Sequence, residues 1–504
     1  MTSRSFVCLW LGAVALLHLA LIASGHWPLT PDEAHYWEWS RRLDWSYYSK
    51  GPLVAYLIAL STALGGNTAF WVRLPAVVLG LLTGMLGWLL ARRAVGEPAA
   101  ALSLIFLAVM PLYAAGGLLM TIDAPFVCCW ALAWWCVSRV GAERGELAWY
   151  GAGVAFGLGL LSKYTMLLFV PCVGIWLAGS PILRRWLWRR EPYDGLALGL
   201  LIFSPVLIWN ARHGWISLRH VLGQALGRSG AAWSPASAPE FAAGQLAVVS
   251  PFLFLLCMTG LAWCRREGRR GDRDTLRLLL CASVPVLVAF GAWSLVSKVQ
   301  ANWPAPAYFT ATIAAAGWCL RPRSGRSQRA MRNLSRLVAA SIMLPILVAP
   351  VLLEPSLLGL LRAPVPAWLD FVPKHVRGWP ELGEAVAALA QQAGQPLFVA
   401  SDRYQIASEL AFYVPGQPRT YNVNLGRRMN QYDVWGGQET LRGHDGLVVT
   451  YRRETPPFEL QQAFERIEVA DQVTITDHGR PVQQFTIFRG TGFRGMPVVP
   501  FTGF

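Results

Sequence analysis

Apolar residues fill the first 353 positions in long blocks separated by short polar turns. Each block is roughly 18 to 25 residues long, the length that crosses the hydrocarbon core of a bilayer as a helix. The pattern predicts about eleven transmembrane helices, at 5–26, 67–91, 98–119, 124–140, 147–162, 164–181, 194–210, 242–264, 276–296, 303–320 and 334–353. A further apolar piece, 52–64, is too short to span unaided and reads as a re-entrant or interfacial helix. After 354 the long blocks give way to polar–apolar alternation punctuated by Pro and Gly. There PLFVAS (396–401) and GLVVTY (446–451) read as strands, 404–413 as a helix and 472–488 as further strands. The expected fold is therefore an α-helical polytopic membrane protein, with a membrane domain over 1–353 and a small C-terminal α/β domain over 354–504. No internal repeat is visible.

Composition agrees. Charged residues make up 14% of the chain and apolar residues 54%, against about a quarter charged in soluble globular proteins. The net charge of +15 would suit nucleic acid if it were clustered on one face. Instead the arginines sit in short loops between apolar blocks: 92–93, 184–185, 189–190, 265–266, 269–270 and 321–336. That is the distribution that orients membrane proteins, basic loops inside, and it argues against nucleic-acid binding. Placing the N-terminus inside puts every arginine-dense loop inside. The outer segments are then 27–66, 120–123, a turn near Lys163, 211–241, 297–302 and everything after 354. The first block has no convincing small-x-small cleavage site and is expected to be a retained span. The nine cysteines lie in or beside apolar blocks without CxxC or Cys/His metal spacing, so neither a disulfide scaffold nor a structural metal site is expected.

The first outer segment, TPDEAHYWEWSRRLDWSYYSKGPL, concentrates ionisable and aromatic side chains. Asp32 and Glu33 follow the first span closely, and Lys50 precedes the next apolar stretch. Charges at that depth are costly unless they are paired or used. The aromatics Trp37, Trp39, Trp45, Tyr47 and Tyr48 fit an interfacial belt, and Tyr36 and Tyr48 are also candidates to line a substrate cavity. Asp123, in the run Met-Thr-Ile-Asp-Ala-Pro, reads first as a helix N-cap with Pro125 in the first turn. Lys163 lies between two short apolar runs and can snorkel or face a site. Arg212, His213, Arg219, His220 and Arg228 break the basic-inside pattern and are candidate phosphate or acceptor contacts. Lys298, Asn302 and Trp303 close another outer turn. In the tail, Arg403, Tyr404, Arg427, Arg428, Asn430 and Tyr432 are candidates for an acceptor surface over the cavity. No P-loop or dinucleotide fingerprint is present.

The loop TPDEAHYWEWSRRLDWSYYSKGPLVAYLIAL resembles the first outer loop of GT-C glycosyltransferases, above all the bacterial protein-mannosyltransferase-like and aminoarabinose-transferase-like enzymes. In them an Asp-Glu pair opens the loop and a Lys-Pro-Pro-like segment closes it. LLMTIDAPFVCCWAL, GLGLLSKYTMLLFVP, WNARHGWISL and SKVQANWPAPAY extend the resemblance over roughly residues 25–310. It implies an inverting transfer of a sugar from a polyprenyl-phosphate donor to a lipid, glycan or protein acceptor. The active site would face the periplasm, in a protein of the bacterial inner membrane among membrane lipids. By the same resemblance Asp32 is the catalytic base, Glu33 assists or orients it, and Lys50 contacts the donor phosphate. Lys163, Arg219 and Lys298 are further phosphate candidates, and Tyr36, Tyr48, Asp123, His213 and Trp303 would line the cavity. Where aminoarabinose-transferase-like enzymes often carry a Glu, a metal-ligand type, this chain has Ser49, and Gly51 replaces the first Pro. No metal is therefore expected to be required, although a divalent cation stays open. The alternative reading is a transporter or flippase for lipid-linked sugars, which predicts charges in mid-span and inverted repeats; the chain shows neither.

Overall fold

The computed structural model describes residues 3–140, 145–226, 237–268, 274–321, 327–354, 357–360, 376–477 and 479–502. Arg228, Arg269, Arg270, Arg323 and Arg326 of the basic loops lie outside the described residues.

The membrane half opens with α1 (Ser3–Ala23), the short α2 (Pro31–Ser40), the apolar α3 (Leu53–Gly65) and α4 (Ala69–Val95). Next come α5 (Glu97–Val109), α6 (Pro111–Gly116), α7 (Asp123–Val137), α8 (Gly145–Ser162), α9 (Phe169–Ala178) and α10 (Glu191–Arg212). It continues through α11 (Ile216–Leu226), α12 (Ser237–Val249), α13 (Pro251–Glu267), α14 (Asp274–Trp293), α15 (Ala305–Leu320) and α16 (Gln328–Leu353). By length and composition α1, α4, α10, α14 and α16 suffice to cross a membrane, and the α12–α13 pair makes a sixth if taken as one crossing. The α1 and α16 windows are only 11% buried against 44% for α4, so α1 and α16 lie at the lipid-facing periphery. α7 and α15 are buried along almost their whole length. α8 and α10 meet backbone to backbone: a Cβ added at Gly153 would lie 2.1 Å from the carbonyl oxygen of Gly195. Small residues at such a crossing let dispersion contacts form where no hydrophobic force drives helices together.

Two spans expected to be continuous are broken, each at a proline. The block 242–264 divides at Ser250, where α12 and α13 meet at 98°. Ser250 has φ 79 and Pro251 begins α13. The block 98–119 divides at Met110, which is extended, before Pro111 begins α6. Proline has no N–H to give the preceding turn and excludes its neighbour from the helical region.

The C-terminal part adds α17 (Trp379–Gln392), β1 (Phe398–Ser401), α18 (Tyr404–Tyr413), β2 (Thr420–Asn422) and α19 (Gln431–Trp435). β3 (Gly446–Tyr451), α20 (Phe458–Ala463), β4 (Phe464–Asp477) and β5 (Arg480–Phe493) complete it. The strands form one mixed sheet in the order β2-β1-β3-β5-β4, with β1 parallel to both neighbours and β5 antiparallel to both of its own. The strand patterns at 396–401 and 446–451 and the 404–413 helix are present, and the 472–488 pattern is the turn region of the β4–β5 hairpin. α17 and β2 carried no clear sequence signal.

This domain sits on the first loop through α18. Phe412 packs edge-on against Trp37, with ring centroids 4.8 Å apart, and the Tyr413 hydroxyl accepts the Leu29 N–H at 2.7 Å. The aromatic-belt expectation is corrected here. Trp37, Trp39 and Tyr47 have no exposed surface and form the core between loop and domain, while Trp45 is 45% exposed. Their hydrophobic area is spent on docking, not on the lipid interface.

Candidate active site

α2 is started by a capping box. The Thr30 hydroxyl accepts from the Glu33 N–H, and the Glu33 carboxylate accepts from the Thr30 N–H, with Pro31 at the first turn. One helical step of about 100° separates neighbouring side chains, so Glu33 points inward while Asp32 is exposed toward a cavity. Glu33 is fully buried. Arg73 of α4 grips it with Nε 2.9 Å from Oε1 and Nη2 2.7 Å from Oε2, and the Met120 N–H adds a contact of 3.0 Å. Burial alone would raise the Glu33 pKa; the Arg73 charge and hydrogen bonds reverse this and hold it below the usual carboxylate value. Glu33 does not line the cavity, so its expected place beside the chemistry is corrected: it orients the helix that presents Asp32. Arg73 was missed, though a lone arginine at the head of an apolar block is a signal in itself.

The other end of the loop brings Lys50 in. The Tyr47 N–H donates to the Lys50 carbonyl at 3.2 Å, and Gly51 lies so close to α8 that a Cβ there would be 2.1 Å from the Leu161 carbonyl oxygen. This contact sets Lys50 beside the end of α8 and Lys163. The Lys50 ammonium is pushed down to about 8, first by burial and then by the Lys163 charge. Lys163 itself donates to Asp123 Oδ1 at 2.6 Å, and Asn302 Nδ2 donates to Asp123 Oδ2 at 2.6 Å. Asp123 is therefore not the N-cap of α7; Ile122 holds that position without a side-chain bond. The Asp123 carboxylate instead ties the start of α7, the end of α8 and the turn before α15 together.

These groups face one polar cavity of about 1540 Å³, open mouth included. Asp32, Tyr36, Tyr48, Lys50, Asp123, Lys163 and Trp303 line it, with His220 and Asn302. Its roof comes from the C-terminal domain: Asp402, Arg403, Tyr404, Arg427, Arg428, Asn430 and Gln431 among others. Three expected residues are elsewhere. Arg219 is exposed on α11 and absent from the lining. Lys298 is 72% exposed and paired with Glu240 at 2.6 Å. His213 is exposed and stacks on Trp209 at 4.0 Å. Each lies on a segment where a solvated charge costs little, so nothing draws it inward. Tyr432, also expected on the acceptor surface, is buried behind the roof.

Behind α2 a buried chain of hydrogen bonds joins loop and domain. The Trp39 indole donates to His35 Nε2 at 3.1 Å, so His35 carries its proton on Nδ1 and donates to Ser408 Oγ at 2.9 Å. Ser408 contacts the Tyr432 hydroxyl at 3.0 Å, and Tyr432 donates to Glu38. Burial pushes His35 down to about 3, which keeps it neutral, and pushes Glu38 up to about 7. Nothing local in the sequence announces this network.

The polar cavity adjoins an apolar one of about 780 Å³ that shares Asp123 in its wall and is otherwise lined by residues such as Leu11, Val14, Leu81, Leu104 and Leu107. Among the described residues no three His, Cys, Asp or Glu side chains group as a metal site.

A family model described as dolichyl-phosphate-mannose-protein mannosyltransferase matches residues 49–209. Lipid A galacturonosyltransferase RgtD of Rhizobium johnstonii is 28% identical over 382 residues, 75% of this chain and 76% of that protein. An undecaprenyl phosphate-α-4-amino-4-deoxy-L-arabinose arabinosyl transferase of Pseudomonas aeruginosa is 29% identical over 231 residues, 41% of this chain and 40% of its own. Among solved structures, ArnT from Cupriavidus metallidurans bound to undecaprenyl phosphate superposes with TM-score 0.65 at 17% identity, covering 97% of this chain and 99% of that one. The Archaeoglobus fulgidus oligosaccharyltransferase superposes at 0.53 with 12% identity, covering 89% and 69%. These relatives are transferases, and the transport reading is not favoured. The chain is a multi-pass membrane glycosyltransferase of GT-C fold, similar in sequence to the galacturonosyl- and aminoarabinose-transferring enzymes.

Proposed function

We propose that the polar cavity transfers a sugar from a polyprenyl-phosphate donor to an envelope acceptor, lipid A being the acceptor class that RgtD suggests. The observation that carries the reading is the convergence of Asp32 and Lys50, from the two ends of one loop, on a single cavity. Asp32 takes the proton from the acceptor hydroxyl, whose oxygen attacks the anomeric carbon. The bond from that carbon to the phosphate oxygen breaks with inversion, and the departing lipid phosphate keeps the electron pair against the Lys50 ammonium. The adjoining apolar cavity suits the first prenyl units, since it meets the polar site at Asp123. Lys163 is neutralised by Asp123 and serves to hold the floor of the site.

In this reading the chain crosses the inner membrane eleven times, with the α/β domain and the cavity mouth on the periplasmic side. The basic-inside distribution of arginines supports that orientation. The reaction requires no metal: Ser49 offers no carboxylate, and Asp123 is already engaged by Lys163 and Asn302. The decisive experiment supplies purified Asp32→Asn protein with a polyprenyl-phosphate sugar and lipid A. Loss of transfer with intact donor binding is expected; transfer at the unaltered rate removes Asp32 as the base. Inactivation by chelation, reversed by a divalent ion, overturns metal independence.

A further inference from the structure

The charges around the cavity do not balance, and the surplus lies in the roof. Asp123 and Lys163 neutralise each other, and Arg427 is held by both oxygens of Asp433 at 2.7 and 2.8 Å. Arg428, the next residue, lines the cavity and has no carboxylate partner among the described residues. Its charge reaches the floor of the site, where it helps to depress the Lys50 ammonium. A cation that raises the cost of a neighbouring cation is retained against repulsion, which an anionic ligand would relieve.

Gln431 supplies a second, independent observation. Its side chain is 1% exposed and lines the same cavity. Its Oε1 accepts the Tyr48 N–H at 2.6 Å, which fixes the amide orientation. Nε2 therefore presents two N–H donors, and it is buried with no hydrogen-bond partner among the described residues. A buried donor left unmade costs on the order of 1 to 3 kcal/mol, so its natural complement is an acceptor brought by a ligand.

We propose that Arg428 and the Gln431 amide form an oxyanion subsite separate from Lys50, taking a carboxylate or phosphate carried by one of the two substrates in addition to the donor's lipid phosphate. The inference rests on the glycosyltransferase reading. A sugar phosphodiester bears a single negative charge, which Lys50 already meets. The remaining guanidinium and amide donors present only N–H groups, and a guanidinium fork matches the two oxygens of a carboxylate or phosphate. Two sources fit: a uronic acid as the transferred sugar, or a phosphorylated acceptor.

The test uses the full chain in detergent with four substrate pairs. Donors are undecaprenyl-phosphate galacturonate and undecaprenyl-phosphate galactose; acceptors are lipid A with and without its phosphates. R428Q removes the cation. Q431E keeps the acceptor for the Tyr48 N–H and replaces the donors with a negative oxygen. If the anion is on the sugar, both variants lower the galacturonate-to-galactose ratio of kcat/KM by about 10- to 100-fold, the scale of a charged hydrogen bond. If it is on the acceptor, the phosphorylated-to-dephosphorylated ratio falls instead. Variants that lower all four pairs equally, or none, overturn the subsite. A wild-type chain that transfers no sugar from either donor overturns the glycosyltransferase reading itself. Titration of that same chain with galacturonate against galactose, and with phosphorylated against dephosphorylated lipid A, still decides the subsite. Preferential binding of the anionic member of either pair that is lost in R428Q supports it, and equal binding within both pairs overturns it.

Discussion

Lys163 and Asp123, forty positions apart in the chain, are joined by an ion pair of 2.6 Å at the floor of the polar cavity. The Lys163 side chain is 8% exposed and that of Asp123 20%. Lys163→Met should destabilise the protein by about 2 to 4 kcal/mol, below the largest costs of breaking a fully buried pair because Asp123 keeps some water. The double variant with Asp123→Asn should recover part of that loss. Chemical unfolding of the four proteins in detergent forms the cycle, and strictly additive effects would show that the two side chains do not act as a pair.

Lys50 sets an alkaline limit. Its ammonium is held down to about 8 by burial and by Lys163, so the phosphate-binding charge is lost as pH rises through that value. The kcat/KM profile, which reports the free enzyme, should fall on its alkaline side near pH 8. Lys50→Arg, which stays charged throughout, should remove the limb even if it slows transfer. A limb that survives Lys50→Arg belongs to another group.

The Glu33–Arg73 pair should be worth most when intact. Arg73→Met leaves a carboxylate with no exposed surface and should cost about 3 to 5 kcal/mol, whereas Arg73→Met with Glu33→Leu should cost much less. The Glu33 pKa is lowered in the folded protein, so its stabilisation is present above its unfolded value near 4.5 and disappears as pH falls through the lower folded value. Equal unfolding midpoints for the single and double variants would contradict this account.

Glu38 acts with the opposite sign. Its folded pKa is raised from 4.5 to about 7 by burial, so the folded state keeps a proton that the unfolded state has released. The attachment of the C-terminal domain should weaken as pH rises from about 4.5 to about 7. Glu38→Gln should flatten that dependence. Limited proteolysis between the last membrane helix and α17, followed across pH, measures it, and identical pH dependence in the variant would refute it.

The helical blocks, the basic loops and the strand patterns were readable because burial against lipid or sheet imposes a local period on the chain. Asp32 and Lys50 were readable for a related reason: a charge next to an apolar block is expensive, so its presence signals use. Asp123 read first as a helix cap, and Lys163 as either a snorkelling or a site-facing cation, because their pairing joins residues forty positions apart. The breaks at Ser250 and Met110 were available in principle from the prolines that follow them.

Other features could not be read along the chain. Arg219, Lys298 and Arg428 look alike in sequence, each a cation in a polar segment. Only the first two turn out to be solvated, because whether such a segment meets water or a cavity depends on what folds over it. His35 and Ser408 are separated by 373 positions, and no local pattern connects them. The sequence by itself determined the helical membrane class and the charged loop of the site, through hydrophobic period and desolvation cost. Tertiary structure alone decided that Glu33 turns inward to Arg73 and that the loop's tryptophans form a docking core. It also decided that the C-terminal domain roofs the cavity, because each of these depends on contacts between residues far apart in the chain.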